Sequence, residues 1–122
     1  PMHKLPALAT LLLAACTSQT AFLTGVPELP AGDDIFWAYY CDSGAELQIN
    51  YANMGGEYSA TPKIDGQKRV LQRQSAYDFG DGEYRWRSDN GGHYFRLSHH
   101  DTTLYDQCGA RRKLDKDAVY LR

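Results

Sequence analysis

Few side chains in this chain are grouped in ways that could do chemistry. His99-His100-Asp101, with His93 a few residues upstream, is the densest set of metal-ligating groups. Imidazole nitrogens and carboxylate oxygens are the donors that zinc and related ions take. Adjacent histidines on a strand point to opposite faces, so only a loop conformation would converge His99 and His100. The expectation is a solvated loop that holds no metal. Asp78-Phe79-Gly80 spells the metal-binding triplet of protein kinases, but no Gly-rich loop, paired Lys or catalytic loop accompanies it in 122 residues. It reads as a strand end before a turn. No nucleophile elbow singles out a Ser, His and Asp as a triad. The paired carboxylates Asp33-Asp34 read as hydrated groups of a tether or turn. These residues point to a protein that is not an enzyme and needs no cofactor.

Cysteine chemistry is more informative. Met2-His3-Lys4 gives a short positive start, Leu5 to Ala15 is apolar apart from Pro6 and Thr10, and Leu13-Ala14-Ala15-Cys16 closes the run with small residues. That layout is a secretory signal over residues 1–15. Leu-Ala-Ala-Cys resembles a bacterial lipobox, which implies cleavage before Cys16, lipid attached to it, and a membrane-surface location without a spanning segment. Thr17 stands where an Asp would imply inner-membrane retention, so the resemblance suggests the outer membrane. Cys41 and Cys108 remain, and in an oxidising envelope an even pair forms a disulfide. Metal ligation by the same two residues is the weaker alternative, since neither has a CxxC partner.

Charge is uneven along the chain. From Thr17 to Ala110 there are 7 Lys and Arg against 13 Asp and Glu, a balance of −6, whereas Arg111 to Arg122 has 5 basic and 2 acidic residues. An acidic globule suits a basic protein partner and argues against nucleic acid. Ordinary solubility charge would look the same.

The elements that position these residues are strands. Residues 16–33 carry Gly25, Pro27, Pro30 and Gly32 and read as a flexible tether. In Glu46 to Tyr51, Leu47, Ile49 and Tyr51 share one face. Asp65-Gly66 is a hairpin signal. Tyr84 and Trp86 alternate with Glu83, Arg85 and Arg87, while Tyr94 and Arg96 project opposite to His93, Phe95 and Leu97. Residues 98–101 read as the last loop and Thr102 to Cys108 as the final strand. Counting every such run gives about eight strands, with no convincing helix before residue 109. The prediction is a small all-β domain over residues 34–108, an antiparallel sandwich or barrel in which a Cys41–Cys108 disulfide ties the first strand to the last, as a closing barrel would use to remove its edges. Residues 109–122 read as a basic tail, either a short helix or a mobile arm.

Several fragments resemble one family. Tyr39-x-Cys41-x-x-Gly44 followed by Leu47-x-Ile49-x-Tyr51, then Ser75 ahead of Asp81-Gly82 and an aromatic strand, then Leu104-x-x-x-Cys108, is similar to the bacterial membrane-bound and periplasmic inhibitors of c-type lysozyme (the MliC/PliC type). The resemblance covers about residues 37–108 and implies an eight-stranded antiparallel barrel that blocks the lysozyme cleft. Lysozyme works with two carboxyl groups, so a hydroxyl and an ammonium placed there would occupy the positions of substrate oxygens. The family offers these from a Ser-Gly-x-x-Tyr loop and a Trp-x-Lys-Gly loop. Here Ser75 holds the Ser position, but Ala76 replaces Gly and Phe79 replaces Tyr. The Lys position falls on Asp89 by one count and on Ser88 by another, and Arg85 and Arg87 are the nearest cations in sequence. The resemblance implies c-type lysozyme as partner. With that Lys absent, an envelope barrel acting in adhesion or scaffolding is the alternative. A small-ligand or metal-binding barrel resting on His93, His99 and His100 is a third reading.

Overall fold

A computed structural model describes residues 23–114. The expected signal at 1–15, Cys16, the start of the expected tether and the expected tail from residue 115 onward lie outside the described residues. Nine strands form: β1 Asp33–Tyr40, β2 Glu46–Met54, β3 Glu57–Ile64, β4 Gln67–Lys68, β5 Leu71–Ser75, β6 Asp78–Gly80, β7 Tyr84–Arg87, β8 Phe95–His99 and β9 Thr102–Leu114. Among the described residues there is no helix. The sheet runs β2-β1-β9-β8-β7-β6-β5-β3, and β2 also pairs with β3, which closes eight antiparallel strands into a barrel. β4 is a two-residue flap hairpinned onto β3. Closure leaves no long edge to template aggregation. It also alternates the connections between the two ends. The β6–β7 and β8–β9 turns share one end; the β5–β6 turn and the β7–β8 loop share the other.

Side-chain alternation decides the interior. Leu47, Ile49, Tyr51, Trp86, Phe95 and Leu97 all point inward and are buried, while Arg85, Arg87, Tyr94 and Arg96 lie on the outer wall. Aromatic rings fill the lumen. Trp86 stacks on Phe95 at 4.8 Å between centroids, and Tyr39 meets Trp86 edge-on at 4.9 Å. Three polar groups inside satisfy one another: Trp86 Nε1 donates to the Tyr51 hydroxyl at 3.0 Å, and the Tyr39 and Tyr51 hydroxyls share a 2.6 Å hydrogen bond. Such pairing is what makes buried polar atoms tolerable. Cys41 and Cys108 are bonded, joining the end of β1 to β9.

Three boundaries differ from the sequence expectation. The last strand does not stop at Cys108. Gln107, in the left-handed region at φ 48°, and adjacent register shifts bend β9, so that Thr102–Cys108 pairs with β8 and Gly109–Leu114 pairs with β1. The first six residues of the expected basic tail are therefore barrel wall. Folded residues 23–114 then hold 10 basic and 13 acidic side chains, a balance of −3 rather than −6. Residues 23–32, expected to be tether, are packed on the barrel. Leu23 bridges Ala110, Asn53 Nδ2 donates to the Leu29 carbonyl at 2.8 Å, and the Tyr58 hydroxyl donates to the Pro27 carbonyl. Asp33 and Asp34 open β1, where Asp34 accepts from Asn50 Nδ2 at 3.1 Å. Finally, β5 occupies Leu71–Ser75, and Asp78-Phe79-Gly80, read as a strand end, is a whole three-residue strand preceded by a turn at Ala76-Tyr77.

Candidate functional site

Ser75 ends β5, and its register partner Asp78 begins β6, so Ala76 and Tyr77 form a two-residue turn at the barrel end. Arg73 supports that turn from below. Its Nη2 donates to the Ala76 carbonyl at 2.9 Å and its Nε to the Ser75 carbonyl at 3.4 Å. The same guanidinium lies 4.8 Å over the Tyr58 ring, a cation–π contact that fixes its plane. Ser75 is exposed, and among the described residues nothing hydrogen-bonds its hydroxyl. Ala76 and Tyr77 are exposed beside it.

The β7–β8 loop is fastened to this turn, because Ser88 N–H donates to the Tyr77 carbonyl at 2.9 Å. Ser88 itself is buried. Its Oγ accepts from Gly92 N at 2.9 Å and donates to Asn90 Oδ1 at 2.9 Å, and Asn90 Oδ1 also accepts from Tyr94 N at 3.0 Å. Ser88 thus shapes the loop from within and offers no hydroxyl to a partner, which corrects its expected role as a contact residue. Phe79 needs the same correction. It is fully buried in the lumen, so it braces the turn but presents no surface.

The charged candidates are paired. Arg85 grips Asp78 with two hydrogen bonds of 2.8 and 2.7 Å, and these hold the Asp78 carboxyl below its ordinary value. Arg87 and Asp89, both exposed, meet at 2.8 Å. Asp89 is therefore not a lone negative charge but one half of an exposed ion pair. The sequence did not single out Arg73 or Tyr77. Exposed tyrosine flanking the Ser75 turn was a usable signal; the support by Arg73 depends on Tyr58 of another strand and was not.

The histidines separate. His93 lies in the β7–β8 loop, at the Ser75 end, whereas His99 and His100 lie at the opposite end with Glu83, a residue the sequence left aside. Comparison of the chain with protein-family models, curated proteins and solved structures gives no match.

Proposed function

We propose that this protein is a lipid-anchored lipoprotein of the bacterial cell envelope whose barrel binds and inhibits c-type lysozyme. In this reading Ser75 enters the cleft from a turn braced by Arg73 and flanked by Asp89 and Arg87. The observation that carries it is the junction of two loops. The turn holding the exposed, uncommitted Ser75 hydroxyl and the loop holding Asp89 are the two segments where the resemblance puts the inhibitory residues, and one backbone hydrogen bond locks them side by side. A hydroxyl that has no protein partner gives up only hydrating water, and no internal hydrogen bond, when it turns onto a carboxylate. The neutralised Arg87–Asp89 pair removes the repulsion that Asp89 alone would cause.

The test is titration of the purified protein into c-type lysozyme acting on cell walls. The wild type slows lysis, and Ser75→Ala weakens inhibition about 10- to 100-fold, the loss of one hydrogen bond to a charged group. Because Ser75 is exposed, that variant keeps the fold. Undiminished lysis at saturating wild-type protein refutes the proposal.

A further inference from the structure

At the barrel end away from Ser75, three ligand-bearing side chains converge. The donor atoms of Glu83, His99 and His100 lie within 4.8 Å of one another. Two independent features place them. The His100 amide donates to the Glu83 carbonyl at 2.7 Å, so the β6–β7 turn is tied to the β8–β9 turn. His100 also adopts φ 53°, in the left-handed region where non-glycine residues are uncommon. That conformation ends the strand alternation and swings the second imidazole back beside the first, with ring centroids 4.5 Å apart. The His99 ring is held from its other side by stacking on Tyr84 at 4.5 Å, and Tyr84 carries the Arg69 guanidinium at 4.6 Å.

We infer that Glu83, His99 and His100 form a binding site for a divalent transition-metal ion, of which Zn²⁺ is the best match. Two imidazole nitrogens and one carboxylate oxygen are a zinc ligand set, with at least one position left for water or for a group from a partner. Tetrahedral ligation at about 2.0–2.1 Å needs donor atoms roughly 3.3 Å apart. His99 Nε2 and Glu83 Oε2 are already at 3.6 Å, so closure takes side-chain shifts of ångström size. Glu83 and His100 are exposed and free to make them. Arg69 competes for Glu83, touching Oε2 at 3.3 Å, but it also bonds Asp81 at 3.1 Å. It keeps Asp81 as partner when Glu83 Oε2 turns to the ion. The site and the Ser75 turn occupy opposite ends of the barrel, so each stands or falls alone.

The experiment is Zn²⁺ titration of the chelator-treated full chain, read by calorimetry and by the imidazole resonances in nuclear magnetic resonance spectra. One equivalent of Zn²⁺ shifts the His99 and His100 rings and leaves His93 in place. His99→Ala, His100→Ala and Glu83→Gln each weaken binding at least tenfold, while His93→Ala binds as the wild type does. Resonances of His99 and His100 that stay unmoved at saturating Zn²⁺ overturn the inference in the wild-type protein itself. Binding that survives both histidine substitutions unchanged does so as well.

Discussion

Removing the Tyr51 hydroxyl should be the most costly loss of a single atom in the barrel. Tyr51→Phe keeps the ring and its contacts with Trp37 and Phe79, at 5.8 and 5.9 Å between centroids. What it removes is the only acceptor for Trp86 Nε1 among the described residues, together with the partner of the Tyr39 hydroxyl. All three side chains are fully buried, so water does not replace the lost bonds without opening the lumen. A stranded buried donor costs about 1–3 kcal/mol, and two are created, giving roughly 2–6 kcal/mol. Tyr39→Phe is milder, at about 1 kcal/mol, because Tyr51 still serves Trp86. The assay is urea unfolding followed by tryptophan fluorescence on the two single variants and the double variant. The expected order is Tyr51→Phe well below Tyr39→Phe. The double variant costs less than the sum, since the two residues share one hydrogen bond. A Tyr51→Phe protein within about 0.5 kcal/mol of wild type, or a Tyr39→Phe protein less stable than it, refutes the reasoning.

Two further outcomes can be measured directly. Burial raises the pKa of both Tyr39 and Tyr51 above the ordinary 10.0, so the folded state holds protons that the unfolded chain releases. Stability is therefore complete below pH 10 and falls as pH rises above it, by about 1.4 kcal/mol per pH unit for each tyrosine until the folded values are reached. Absorbance titration near 295 nm should show these two phenols ionising only as the barrel opens, after Tyr58, which is half-exposed and pushed up to about 12. Separately, Gly92→Ala would place a Cβ 2.3 Å from the Gly25 Cα at φ +88°. Backbone strain and overpacking together should cost about 2–4 kcal/mol. The loss is read by thermal unfolding and by faster exchange of the Gly25 amide, which donates to the Gly92 carbonyl at 3.0 Å.

How much of this could be read from the residues varied with how local the cause was. The inward set Leu47, Ile49, Tyr51, Trp86, Phe95 and Leu97 follows from period-two patterning, and the all-β class with its Cys41–Cys108 bond follows from turn spacing and an even cysteine pair, whereas closure into an eight-stranded barrel rather than a sandwich was what the family resemblance implied. β5 escaped notice because only Leu71 of its five residues is buried, leaving no alternation to detect. The extension of β9 was masked by Arg111, Arg112 and Lys113, all exposed, which look like a tail but decorate an outer wall. Residues 23–32 look like linker by composition, and the partners of the Leu29 and Pro27 carbonyls, Asn53 and Tyr58, lie far along the chain. The Ser75 turn was legible as a candidate, whereas the burial of Phe79 and Ser88 required the register of β6 and the loop geometry. The His99–His100 pair was read as a solvated loop, because a positive φ at a histidine leaves no mark in composition or period.

The docked stretch from Leu23 onward sets a distance. Between residue 16 and residue 23 the chain has seven steps, which reach at most about 25 Å when fully extended. If acyl chains hold Cys16 as proposed, the barrel works on a short leash, unable to rise more than about its own diameter above the lipid headgroups. A muramidase would then meet this protein at the membrane face rather than out among the glycan strands.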